Sequence, residues 1–397
     1  MSDIVDLQKE IKFSDLTGVL RRKNAKKPAT AAAPPSKRAK KRKQRKHEVV
    51  GIKVGASQLA ASRVVNNGGP VPKVVQLARQ PLEPGVVVGG EVRDVSALAR
   101  ALDKFFTDQK LPRRGIRLGI GTNQIGVRTL DVDGIEDERQ LANAVRFRAH
   151  EALAIPMDQA VLDYHVIRET VDESGSISRR VLLAAAYREP IDQYIQAFRE
   201  ARLELEGIDV EAFALLRAVA PERASLNGDE PTAIVALSLG HDRSTLAISD
   251  GKVCDFMRVL PWGGAKLEAA IARDLALAPE EAAELKHAVS LGDGDGVDEP
   301  RLAAARDIVT REVQSLAREL VASLQFYQGQ PESLAISEIL VTGGTTQLPG
   351  LAEELERLLR ARVRVADPLA HVDVAGNVSQ RDDLASLAVA IGLGVDS

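Results

Sequence analysis

Val54-Gly55-Ala56-Ser57, Leu239-Gly240-His241-Asp242 and Thr342-Gly343-Gly344-Thr345 each close an apolar, strand-like run, and they lie far apart in one chain. A glycine turn after a strand matters because its backbone N–H groups can converge on phosphate oxygens, and the missing Cβ admits a close approach. One such turn is ordinary β-turn or helix-cap chemistry. Three of them, ordered hairpin turn, hairpin turn, strand-to-helix turn, suggest a nucleotide held between two related lobes.

Outward from the first turn, residues 49–56 read as a strand, 59–65 as its returning partner and 73–78 as a third. Helical apolar spacing over 95–109 precedes strands at 115–121 and 125–132. A helix over 136–153, strands over 160–167 and 180–186 and a helix over 190–201 read as an inserted subdomain, after which the chain returns near Gly207. Residues 232–239, 243–248 and 252–261 then repeat the strand, glycine turn, strand, strand order of the first lobe. Two copies of one hairpin element, about 185 residues apart, suggest an ancient duplication. Trp262 precedes Gly263-Gly264 and a helix, where a packing role is expected. A long helix over 307–328, a strand over 339–342, a helix over 351–359 and a closing segment over 384–392 complete the second lobe. The expected class is α/β, with domains at 1–47, 48–129, 130–206 and 207–394.

Composition agrees. The 397 residues are 45% hydrophobic and 27% charged, an ordinary globular balance with room for more than one core. Aromatics make up only 3%, so the cores must come from Val, Leu, Ile and Ala, as in alternating strands and helices. The single cysteine, Cys254, excludes an internal disulfide, suits a reducing compartment and reads as a small core residue. Six histidines show no zinc-ligand spacing, so no metal cage is expected. No apolar stretch reaches the length of a membrane span, and Asp3 and Asp6 are unlike a signal peptide, so a cytoplasmic location is expected.

The net charge of −3 conceals two different objects: residues 1–47 carry +11 and the remainder −14. Residues 3–23 place Ile4, Leu7, Ile11, Leu16, Val19 and Leu20 at helical spacings, while Ile11 and Phe13 alternate like a strand, so the conformation stays open. This segment reads as a docking peptide. Residues 24–47 are expected to be disordered, and the run from Lys37 to Lys46 holds eight basic residues in ten. That run suits a solubilising linker, anionic lipid headgroups or nucleic acid; the lack of an aromatic to stack on bases weighs against the last.

Several longer phrases resemble those of a known family. The phrases Glu83-Pro84-Gly85-Val86-Val87-Val88-Gly89-Gly90-Glu91, Val161-Leu162-Asp163-Tyr164, Asp209-Val210-Glu211-Ala212-Phe213-Ala214-Leu215, Glu284-Leu285-Lys286, Thr342-Gly343-Gly344, Leu348-Pro349-Gly350-Leu351 and Ser386-Leu387-Ala388-Val389-Ala390-Ile391-Gly392 carry the resemblance. Over about residues 48–394 the chain resembles the PilM family of type IV pilus assembly proteins, in the actin-like ATPase superfamily, with FtsA as a cell-division relative. The resemblance implies an actin-like ATPase fold of two duplicated mixed-sheet lobes flanking a nucleotide cleft, with a small α+β subdomain inserted. It assigns Gly55, Ala56 and Ser57 to the first phosphate loop, Gly240, His241 and Asp242 to the second, and Gly343, Gly344 and Thr345 to the nucleoside. ATP is the implied ligand. Glu211 falls where related ATPases orient the attacking water; its alternative is a surface residue at a helix start.

Two departures bear on mechanism. Before the first two turns, where the superfamily places an aspartate near magnesium, this chain has Lys53 and Ser238. Magnesium prefers octahedral oxygen ligation, so it is disfavoured, whereas a lysine can neutralise phosphate directly. Hydrolysis is expected to be absent or negligible. The resemblance implies a cytoplasmic scaffold that binds the cytoplasmic tail of a PilN-like single-span inner-membrane protein and reaches the inner membrane through partners. The pilus assembly motor and self-association are further partners to consider. An FtsA-like division adaptor is the alternative, weakened because the sequence ends at Gly394-Val395-Asp396-Ser397 without an amphipathic helix. An active ATPase or small-molecule kinase is disfavoured by the replaced acids.

Overall fold

In the computed structural model, described over residues 47–67, 71–135, 137–153, 155–171, 175–220, 231–292, 299–376, 378 and 383–396, the first turn joins β1 (His47–Val54) to β2 (Gln58–Asn66). The tail expectations, the docking peptide and the Lys37 to Lys46 run fall outside these residues. From Val49 onward β1 is almost continuously buried, as suits a central strand covered on both faces. β3 (Lys73–Pro81) continues the antiparallel meander, followed by the small hairpin β4 (Val87–Val88) and β5 (Glu91–Val92). α1 (Val95–Asp108) begins where the Asp94 carboxylate accepts the Ala97 N–H, and it buries Leu98, Leu102, Phe105 and Phe106 at helical spacing. Each such side chain contributes roughly 1.5–3 kcal/mol by burial. β6 (Ile116–Ile120) then lies parallel to β1.

β7 (Ile125–Asp133), α2 (Glu138–Ala152), β8 (Ala160–Val171) and β9 (Ile177–Tyr187) form a separate unit: an antiparallel sheet ordered β7-β9-β8, with α2 closing its own core around Val145 and Val181. α3 (Arg188–Glu200) returns to α1, and β10 (Leu205–Val210) joins the first sheet beside β6. Next comes α4 (Glu211–Val219), then the second lobe: β11 (Thr232–Leu239), β12 (Ser244–Ser249), β13 (Cys254–Leu260), α5 (Gly264–Leu275), α6 (Pro279–Ala288), α7 (Pro300–Gln328), β14 (Ala335–Thr342), α8 (Leu351–Leu359) and β15 (Val363–Val365). β16 (Asp373–Val374) crosses back to pair with β3, and α9 (Ala388–Gly394) is the last helix among the described residues.

The two main sheets repeat one plan. The first runs β10-β6-β1-β2-β3-β16 and the second β15-β14-β11-β12-β13. Without the added edge strand β16 the orders correspond. So do the directions, with antiparallel pairs β1/β2, β2/β3, β11/β12 and β12/β13, and parallel pairs β1/β6, β6/β10, β11/β14 and β14/β15. α4 packs against the second lobe's strands and α9 against β1 and β2, and these two helices contact each other between the lobes.

Several boundaries differ from the sequence reading. The inserted sheet begins at Ile125, and residues 188–206 belong to the first lobe because Ile191, Tyr194, Ala197 and Phe198 are buried in the same core as α1. α7 starts at Pro300 because proline is accepted in a helix's first turn. Trp262 is fully buried and its Nε1–H donates to the Glu312 carbonyl at 3.3 Å.

Candidate nucleotide cleft

The two hairpin turns are closed by the same bond. The Gly55 N–H donates to the Gln58 carbonyl at 2.9 Å, and the Gly240 N–H to the Arg243 carbonyl at 3.1 Å. Among the described residues, the amide N–H groups of Ala56, Ser57, His241 and Asp242 take no backbone acceptor. The third turn braces the second: Thr345 Oγ1 donates to the Gly240 carbonyl at 2.7 Å, and the first amides of α5 donate to the Gly240 and His241 carbonyls. Gly343 has φ +97°, and a Cβ there would stand 2.3 Å from the Leu239 carbonyl oxygen. Glycine is required for β14 to turn against β11.

These turns share a cavity of about 380 Å³, within the range of small-molecule sites. Lys53, Gly55, Ala56, Ser57, Gly240, His241, Asp242, Gly343, Gly344 and Thr345 all line it. Glu211 does not. It is 1% exposed at the start of α4, so the alternative of a surface residue is corrected. α4 is apolar on nearly every side and lies between the lobes, which draws its first residue inside.

Glu211 is held from both lobes. Lys53 Nζ, from β1, stands 3.4 Å from Oε2, and Arg243 Nη2, from the start of β12, stands 3.2 Å from Oε1. Arg243 Nη1 also reaches Asp242 at 3.3 Å, and the Gly89 N–H, from the first lobe, donates to Asp242 Oδ2 at 2.7 Å. Burial disfavours charge on Arg243, but the attraction of Glu211, with Tyr194 and Asp242, outweighs it and raises the guanidinium above its ordinary range. A Cβ at Gly121 would lie 2.8 Å from the Glu211 carboxylate, so the neighbouring strand end must be bare for this carboxylate to fit. Glu211 Oε2 and Arg243 Nε are buried without a hydrogen-bond partner.

Arg243, Glu268, Lys286, His287 and Asp383 also line the cavity, with no role drawn from the sequence. Lys286 belongs to the Glu284-Leu285-Lys286 segment of α6. Arg243 could have been flagged as a charge interrupting an apolar strand. Glu268 pairs with Lys286, and Asp383 with Arg79. Ser238 is 3% exposed within β11 and does not line the cavity.

A nucleotide fits the cleft by its volume, its unpaired turn amides and its bare glycine turn. A carboxylate-held divalent cation does not fit. The three lining carboxylates, Asp242, Glu268 and Asp383, are each committed to a basic side chain. No cluster of three or more His, Cys, Asp or Glu suited to a metal exists among the described residues.

Duplicate five-stranded sheets, two helices between the lobes and three glycine turns on one cleft define an actin-like ATPase fold. A family model described as Type IV pilus assembly protein PilM matches residues 51–397, and the chain belongs to that family. A solved PilM-PilN type IV pilus biogenesis complex contains a chain of the same fold, with TM-score 0.71 and 25% identity over 87% of this chain and 97% of that one. The cell division protein FtsA of Bacillus subtilis is 22% identical over 315 residues, 70% of each chain. FtsA of Pseudomonas aeruginosa is 26% identical over 355 residues, 81% of this chain and 83% of that one. No helix among the described residues is long and apolar enough to cross a membrane.

Proposed function

We propose that this chain is a non-hydrolysing scaffold of type IV pilus assembly that holds the cytoplasmic tail of a PilN-like single-span inner-membrane protein and sits in the cytoplasm against that membrane. The observation that carries the reading is its likeness, over nearly all of that chain's length, to a member of a PilM-PilN complex. In this reading the tail lies extended in a groove of the first lobe, where it would gain main-chain bonds and side-chain pockets.

In this proposal ATP is a structural ligand. Bound there, it would supply a polyphosphate that bridges the two lobes. The turns at Gly55–Ser57 and Gly240–Asp242 would hold phosphates, and Gly343, Gly344, Thr345, Glu268 and Lys286 the nucleoside. Glu211 is ill placed to orient water because Lys53 and Arg243 occupy its carboxylate away from the cavity lining.

Affinity capture of the full-length protein from gently solubilised native membranes, with mass spectrometry of what co-purifies, tests the scaffold reading. Recovery of single-span pilus-platform proteins with the assembly motor supports it. Recovery of division proteins, or of none of these, rejects it.

A further inference from the structure

We propose that the cleft binds the polyphosphate of a nucleoside triphosphate without a divalent cation, with Lys53 as the resident counter-charge. This rests on the reading that the cleft holds a nucleotide, and it adds how the charge of that ligand is met.

Lys53 is two residues before Gly55 on β1, lines the cavity and is 18% exposed at its side chain. Its ammonium has three donors, and its Glu211 contact, at 3.4 Å, is the one ion pair it makes among the described residues. That distance is longer than a charge-assisted hydrogen bond, so donors remain for a second anion. Around it, the amides of Ala56, Ser57, His241 and Asp242 take no backbone acceptor, and the buried Arg243 Nε is also unpartnered. Four turn amides without a backbone acceptor thus belong to residues that line the cavity beside Lys53.

The acids there are already used. Asp242 accepts from Gly89 and Arg243, while Glu211 sits behind Lys53 with Arg243 on its other oxygen. A magnesium ion keeps several waters and needs carboxylate or phosphate oxygens around it in near-octahedral order. Placed beside the Lys53 ammonium it would meet like charge, and the acids could reach it only by abandoning Lys53 and the buried Arg243. A lysine is a compact point charge that performs the neutralising part of the metal's task, though not its polarising part. One lysine would in this way give binding without hydrolysis.

Isothermal titration of ATP into the full-length protein, cleared of nucleotide and metal, is run in excess EDTA and again in millimolar magnesium. Affinities that agree within about threefold support the proposal. Affinity at least about tenfold tighter in magnesium overturns it while leaving nucleotide binding intact. Absence of binding in both buffers overturns it together with the nucleotide reading. In EDTA, Lys53→Gln should weaken binding about 10- to 100-fold and Lys53→Arg should restore most of the loss. Lys53→Asp should bind ATP only with magnesium. Undiminished binding by Lys53→Gln, with an unchanged circular dichroism spectrum, would remove Lys53 from this role. The wild-type comparison needs no variant, so poor folding of any substitution leaves the test decisive.

Discussion

Replacing Glu211 with glutamine separates an ion-pair anchor from a catalytic group. The substitution keeps volume and shape but leaves Lys53 without its ion pair and Arg243 with only Asp242, 3.3 Å away. Breaking a buried pair by removing one partner costs about 3–5 kcal/mol because the other charge stays buried. Here Arg243 retains one carboxylate and Lys53 can turn toward the cavity, so the low end, about 3 kcal/mol, applies. With an unfolding entropy of about 2.1 cal/mol/K per residue over about 350 residues, the thermal midpoint should fall by about 4 °C. Circular dichroism melts of the full-length protein in EDTA measure this. Because Lys53→Met removes the same pair from its other end, the double variant should cost less than the sum of the two singles by about 1 kcal/mol. A midpoint within about 1 °C of the wild type, with additive singles and double, would refute the anchor.

Three further outcomes follow from local geometry. Gly343→Ala places a Cβ 2.3 Å from the Leu239 carbonyl in a left-handed conformation, so it should destabilise by about 3 kcal/mol or more and abolish ATP binding, read by thermal melts and titration. Burial, with the Asp250 charge, pushes the Asp255 carboxyl up to about 6 from an unfolded value near 3.8, although Arg180 opposes this. The folded state therefore holds that proton more tightly, and stability is full below about pH 4 and falls as pH rises through about 6. Asp255→Asn should be more stable than the wild type by about 1–2 kcal/mol at pH 8, a figure reduced for partial exposure, and equal to it near pH 4, as urea unfolding at both pH values would show. Burial also raises the Cys254 thiol well above its ordinary range, so Ellman's reagent should modify it only on unfolding; rapid modification of the native protein would contradict its place in the core.

The duplication was legible because its signals are local. A buried central strand, a glycine turn and a returning strand occupy about a dozen residues, and the motif recurs at Gly55 and Gly240. The cleft's glycines could be named for the same reason. The charge network could not, since Lys53, Glu211 and Arg243 are far apart in sequence and meet only when α4 passes between the lobes. A single carboxylate before an apolar helix looks like a helix-start residue, which Glu211 also is. The helix itself held the missing signal: Ala212-Phe213-Ala214-Leu215-Leu216 leaves it no polar face until Arg217, and such a helix is buried. The packing of α3 against α1 is not visible in sequence either, since Ile191, Tyr194 and Phe198 join the first lobe's core only through a contact between distant segments.

The position of Glu211 bears on how the cleft moves. Lys53 belongs to the first lobe's central strand and Arg243 to the second lobe's turn, so the carboxylate ties the lobes at the inner end of the cleft. Asp242 adds a second tie through the Gly89 amide. Both ties would have to loosen for the lobes to separate there, and loosening the first would expose or orphan the buried Glu211 charge. An ATPase that cycles between open and closed forms gains from a site whose charge changes with each turnover, because hydrolysis and metal release alter the balance of the two states. A fixed lysine cannot leave as a metal does. In the proposed scaffold, nucleotide binding would therefore stiffen one arrangement of the lobes, and the inserted β7–β9 unit would present one stable surface to its partner.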